Sequence, residues 1–191
     1  TDMKSGVACI TEVMKEIENQ GLGLLITSDE EKGGFKGTGY VLEKEELSPE
    51  LVISAEPDDS GDFPSIVNKQ KGVLQLKISV EGESAHASKP EKGESAAEEL
   101  IRIYREKIRP LFEPVEEFAT TVNLSKINAG DAVNRVPDHA EMDLDIRYSE
   151  NYPKNQVLGD IRDIEGLNVE ITAEAPMMKT DSHNEMVKSL K

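Results

Sequence analysis

"VLQLKISVEG", residues 73–82, alternates Leu74, Leu76, Ile78 and Val80 with Gln75, Lys77 and Ser79. A period of two puts the apolar side chains on one face, so the stretch reads as a strand with one side buried and the other in water. The segments after it follow suit. "GESAAEELIRIYREKI" (93–108) places Ala97, Leu100, Ile101, Tyr104 and Ile108 on one helical stripe, with Ser95 near its start. "ATTVNLSKINAG" (119–130) and "AEMDLDIRY" (140–148) alternate again, "KNQVLGDIRDI" (154–164) is a short helix, and "LNVEITAEA" (167–175) is a last strand. The order β, α, β, β, α, β from 72 to 173 predicts a split βαβ, ferredoxin-like layer: one antiparallel sheet with two helices on one face.

The residues before position 70 have a different character. "SGVACITEVMKEIEN" (5–19) is an amphipathic helix on Val7, Ile10, Val13, Met14 and Ile17, with Ser5 in capping position. "GLGLLITS" (21–28) and "LVISAEP" (51–57) are continuous apolar runs that suit buried parallel strands, and "GTGYVLEKEEL" (37–47) between them suits a short helix or turn. Helix, strand, helix, strand, with acids at the strand ends, is an α/β arrangement in which ligands gather beyond the carboxyl edge. Three sites would meet there: Asp2, the pair Glu30/Glu31, and Glu56. Converging carboxylates repel one another and are costly to desolvate, and a divalent cation relieves both problems. Taken alone, "SDEEKGG" (28–34) reads first as a solvated turn, as charge runs usually are, with Asp29 as a turn residue, and Gly33, Gly34 and Gly37 give the backbone freedom to leave the edge.

Composition narrows the partners. Lys and Arg number 22 against 38 Asp and Glu, a formal charge of -16, which argues against nucleic acid and anionic membranes. The same excess suits a salt-adapted surface, although the abundant lysine does not. No stretch approaches the ~20 apolar residues of a membrane span, and "TDMKSG" (1–6) is no signal-peptide core. The single cysteine, Cys9, cannot form an internal disulfide; among Val7, Ala8 and Ile10 it reads as a small buried residue, and the expected compartment is the cytoplasm. The chain opens without methionine and closes on "MVKSLK", which reads as mid-helix, so a fragment of a longer polypeptide is expected.

"TDMKSGVA" (1–8), "SDEEKGGFKGTG" (28–39), "VISAEP" (52–57), "KGVLQLKISVEGESAHASKPEKGESAAEEL" (71–100) and "NRVPDHAEMDLDIR" (134–147) occur in that order. Together they resemble the aminoacylase, acetylornithine deacetylase, succinyl-diaminopimelate desuccinylase and carboxypeptidase G family of dinuclear zinc hydrolases. The resemblance implies a catalytic α/β domain (1–70 and 175–191, both partial) with an inserted ferredoxin-like lid and dimerisation domain (71–174). It implies two divalent ions, Zn2+ first and Co2+ as the alternative, held by Asp2, Glu31 and Glu56, with Glu30 as general base. A carboxylate bound to a metal cannot also take a proton, so a separate neighbour must be the base. The ions would sit about 3.5–4 Å apart and lower the pKa of a shared water toward ~7. The resemblance also makes His86 an oxyanion donor delivered to the partner subunit's site, and Asn134 and Arg147 substrate contacts, Arg147 for a carboxylate. Arg147 reads otherwise as a strand-end ion pair, and His139 and His183 as surface residues. The family's two histidine ligands, one in an upstream "HxD" and one near the C-terminus, have no counterpart here, so these residues alone are not expected to hold a complete dinuclear site.

The expected function is hydrolysis of a linear amide by metal-activated water: removal of an acetyl or succinyl group from an amino acid or related carboxylate, or cleavage of a short peptide. The expected assembly is a homodimer through the lid. Two alternatives stand beside it: a lid and dimerisation module inactive as this chain, and a homologue whose site has decayed.

Overall fold

The computed structural model describes residues 3–18, 21–45, 47–56, 66–113 and 118–189, and the chain divides into two units, Thr1–Val67 with His183–Lys191 and Asn68–Ser182. The first holds α1 (Lys4–Glu16), a single 3-10 turn at Glu30–Lys32, and α2 (Thr38–Lys44). Helix α1 starts after Met3, a left-handed residue with no side-chain cap, so Ser5 lies inside the helix instead of capping it. Val7, Ile10 and Met14 form its half-buried stripe, at spacings of three and four. Cys9 is exposed, which corrects the expectation of burial. The residue sits two positions from Val7, on the other side of the helix, and apolar neighbours in sequence do not make a buried position. At Gly6 a Cβ would collide with the Ala55 carbonyl oxygen, so α1 lies directly against the 51–56 segment.

Residues 22–27 and 51–56 form no strand ladder, unlike the expectation for 21–28 and 51–57; Pro57 lies outside the described residues. Leu22, Leu24, Leu25, Ile26, Val52 and Ile53 are each more than two-fifths exposed. A parallel strand of this kind is stable between paired neighbours with layers on both faces, and the described residues of this unit supply no paired neighbour.

The second unit contains β1 (Lys69–Gln70), β2 (Gly72–Glu81), α3 (Ala96–Ile103), β3 (Thr121–Ala129), β4 (His139–Tyr148), α4 (Lys154–Arg162), β5 (Asn168–Ala175) and β6 (Met178–Lys179). Strands β2 to β5 form one sheet in the order β3-β4-β2-β5, and every pairing is antiparallel. This is the expected split βαβ topology. Strands β2 and β4 pair without a slip from Gly72↔Tyr148 to Glu81↔His139. Leu74, Leu76, Ile78 and Val80 of β2 and Ala140, Met142, Leu144 and Ile146 of β4 meet Ala96, Leu100, Ile103, Val157 and Ile161 from the two helices in one core. A one-residue slip of either strand would turn its own four core residues to water, so this pairing sets the register of the sheet. Strands β1 and β6 pair in a separate short antiparallel ladder, Lys69↔Lys179 and Gln70↔Met178, and α5 (Glu185–Ser189) belongs to the first unit.

The buried stripe of α3 is Ala96, Leu100 and Ile103; Ile101 and Ala97, expected inside, lie off it. Beyond Ile103 the helix widens to a π turn over Tyr104–Ile108. In an α-helix Ile108 would lie about 140° round from Ile103, five steps of about 100° each; the wider turn brings it back to the core, where it is fully buried. Ser95 caps α3, its Oγ accepting the Glu98 amide at 3.3 Å. Replacing Ser95 with Ala is expected to cost about 1 kcal/mol. It should lower the denaturant midpoint at unchanged slope.

Candidate functional site

The acidic loop of the first unit is built around Asp29. Its Oδ2 accepts the amides of Lys36 and Gly37, both at 2.8 Å, and its carbonyl accepts those of Lys32 and Gly34, both at 3.0 Å. Gly33 and Gly34 have φ of 91° and 68°, a region that side chains with a Cβ rarely adopt. A Cβ on Gly37 would collide with Asp29 Oδ1, which is buried and has no hydrogen-bond partner. One carboxylate is thus turned inward to close the loop, while Glu30 and Glu31 begin the 3-10 turn with exposed side chains.

Of the proposed metal ligands, Glu31 and Glu56 are exposed, and Asp2 lies outside the described residues. Among the described residues no group of three or more His, Cys, Asp or Glu side chains gathers closely enough to hold a metal ion. The chemistry of these carboxylates suits a hard divalent cation, but the described residues do not complete a site.

The second unit presents a separate cavity of ≈ 420 Å³ lined by Ser84, Ala85, His86, Ala132, Asn134 and Arg135. Its two walls are pinned together: Ala87 N–H donates to Asn134 O at 2.9 Å and Val136 N–H to Ala85 O at 2.8 Å, and His86 and Arg135 form an antiparallel bridge. Below them Gly82 N–H donates to Asp138 O and Ala96 N–H to Pro137 O, tying the end of β2 and the start of α3 to the same segment. Only glycine fits at Gly82, where a Cβ would strike the Glu94 carbonyl. The His86 imidazole is exposed, with Nδ1 2.8 Å from Ser88 Oγ and 3.1 Å from the Ser88 amide. Arg135 is held by Asp131 at 2.5 Å. Arg135 was missed in the sequence, although it stands inside "NRVP" next to Asn134.

Arg147 belongs elsewhere. It sits on β4 opposite Val73 and Thr121, whereas the cavity adjoins the end of β4 where Ala140 pairs with Val80. Seven residues at about 3.4 Å each separate Arg147 from Ala140 by about 24 Å, further than an N-acyl amino acid reaches. The Arg147 guanidinium donates to Asp145 through Nε at 2.7 Å and through a terminal nitrogen at 3.2 Å, and Gln75 holds the same carboxylate at 3.0 Å. The strand ion pair is therefore present. His139 is likewise engaged, with Glu81 at 2.9 Å.

A family profile described as "Peptidase dimerisation domain" matches residues 68–165, just over half of the chain, from β1 through α4 and ending before β5. The chain belongs to the M20 peptidase family. It is 29% identical over 175 residues to an acetylornithine deacetylase of Shigella sonnei (strain Ss046), an alignment covering 85% of this chain and 44% of that relative. Its fold is also that of part of aminopeptidase PepT from Bacillus cereus ATCC 10987, with a TM-score of 0.52 and 21% identity, covering 64% of this chain and 34% of that one. The chain thus spans less than half the length of these relatives. Among the described residues no helix is long and apolar enough to cross a membrane.

Proposed function

We propose that the protein is a metal-dependent amidohydrolase that removes an acetyl or succinyl group from an amino acid or related carboxylate, or cleaves a short peptide. The observation that carries this reading is the exposed pair Glu30–Glu31 on a turn locked from within by Asp29. Adjacent carboxylates held this rigidly can divide two tasks. Glu30 takes the proton of the attacking water and returns it to the departing amine. Asp2, Glu31 and Glu56 would supply oxygen ligands for two divalent ions, Zn2+ or Co2+, and the nitrogen ligands that such ions prefer would have to come from other residues. When bound, such ions acidify water and polarise the scissile carbonyl. His86 donates a hydrogen bond to the carbonyl oxygen as it gains charge, Asn134 contacts the substrate, and Arg147 exchanges Asp145 for a substrate carboxylate.

His86 and Arg147 lie at opposite ends of one sheet, so one copy of the lid cannot bring both to one small substrate. A homodimer through residues 71–174 resolves this, with His86 and Asn134 serving the partner's site and Arg147 its own. Residues 1–70 and 175–191 belong to the catalytic domain, and the single cysteine suits a cytoplasmic location.

A second reading, a lid and dimerisation module without activity of its own, is favoured by the complete core of the second unit and by the lack of a metal-holding group among the described residues. A substrate panel on the full-length protein separates the two. N-acetyl-L-ornithine, N-succinyl-L,L-diaminopimelate and a tripeptide are offered before and after a chelator, and the expected result is hydrolysis of at least one, lost with the chelator and restored by Zn2+. Hydrolysis of none, or hydrolysis indifferent to chelation, overturns the proposal.

A further inference from the structure

We infer that Ser88 is a positioning residue that sets both the tautomer and the orientation of His86. The Ser88 amide lies 3.1 Å from His86 Nδ1 and can only donate, so Nδ1 must be the acceptor. The neutral imidazole then carries its proton on Nε2. With no proton on Nδ1, the Ser88 hydroxyl, at 2.8 Å, is also a donor to it. Two donors from one residue converge on one ring nitrogen. The backbone beneath is equally constrained, since Lys89 N–H donates to His86 O at 2.8 Å and Ala87 N–H to Asn134 O at 2.9 Å.

The imidazole is exposed, so no packing demands this arrangement. A surface histidine ordinarily samples several rotamers, and fixing one costs entropy that a purely structural role would not recover. What the arrangement provides is a donor, Nε2–H, held ready beside the Asn134 cavity. A hydrogen bond prepared before the substrate arrives needs no reorganisation as charge develops on the carbonyl oxygen. The amide alone would select the tautomer, and the shorter hydroxyl contact adds control of ring rotation. This inference rests on the proposed role of His86 as oxyanion donor, and it names the residue that prepares that donor.

The test combines a spectrum with kinetics. The chain has three histidines, so imidazole 15N resonances of the 191-residue protein can be assigned. His86 is expected to show a protonated Nε2 and a hydrogen-bonded Nδ1, and Ser88→Ala should move the Nδ1 resonance downfield. In the full-length protein Ser88→Ala is expected to lower kcat about tenfold, a part of the roughly 10²–10³ that a whole oxyanion donor supplies, with KM and bound metal unchanged. Ser88→Thr, which keeps the hydroxyl, should recover kcat to within about threefold of the parent. In a His86→Ala background, Ser88→Ala should change the rate less than about twofold, because the two residues act as one unit. A fully active His86→Ala protein overturns the role on which the inference rests. An unmoved Nδ1 resonance in Ser88→Ala, or equal rate losses with and without His86, overturns the Ser88 assignment itself.

Discussion

In the Glu30→Gln protein, kcat is expected to fall about 10²–10⁴-fold, or about 2.7–5.4 kcal/mol of transition-state stabilisation. The substitution keeps the size of the side chain and removes its ability to take a proton. It should spare the fold, since the exposed Glu30 side chain is not what closes the loop; Asp29 does that through the amides of Lys36 and Gly37. Substrate KM should change little, because a proton acceptor acts in the transition state more than in binding. Bound metal should stay at the parent level. Loss of metal alongside activity would reassign Glu30 as a ligand, and an unchanged kcat at full metal occupancy would remove it from the mechanism.

His86→Ala is expected to lower kcat about 10²–10³-fold, the usual cost of deleting one oxyanion donor. Subunit mixing then asks which protomer the histidine serves. In a heterodimer of Glu30→Gln and His86→Ala chains, a histidine acting across the interface leaves one site with both an intact Glu30 and an intact His86. Random exchange makes half the dimers mixed, so about a quarter of the parental activity should return from two inactive preparations. If His86 served its own protomer, every site would lack one residue and the mixture would stay inactive. The separation of about 24 Å between the cavity end of β4 and Arg147 keeps the two residues from one small substrate within one copy, and the family resemblance makes His86 the one expected to cross.

How much was legible in the sequence varies with the range of the interaction concerned. The alternation in 73–82 identified β2, its buried face and the split βαβ order, because strand periodicity is a local property and the antiparallel partners repeat it. The helix stripe at 93–108 was read in part: Leu100 and Ile108 are buried and Tyr104 packs against the core as expected, whereas Ala96 and Ile103 take the places given to Ala97 and Ile101, and the π turn that returns Ile108 to the core depends on the sheet beneath it. Cys9 was judged by its neighbours along the chain, whereas burial is decided by the helix face. The apolar runs at 21–28 and 51–57 have strand-like composition but form no ladder among the described residues, since a hydrogen-bonded partner cannot be inferred from the run itself.

The site divides in the same way. Glu30, Glu31, Glu56, His86, Asn134 and Arg147 were named from their motifs, and the chemistry proposed for them still rests on that reading. Asp29 was read as a turn residue, and it is one: its carboxylate is turned inward and accepts the amides of Lys36 and Gly37. Gly37 leaves the space into which its carboxylate fits.

By itself the sequence determined the element order of residues 72–175, the buried face of their sheet and the residue types available for catalysis, because periodicity and side-chain chemistry are written residue by residue. Only the tertiary structure decided that Asp29 closes the loop, that Ser88 holds the His86 ring, and that Arg147 pairs with Asp145 at the far end of β4 from the cavity. Those outcomes depend on hydrogen-bond directions and on distances set by strand register and turns, which no stretch of the chain encodes alone.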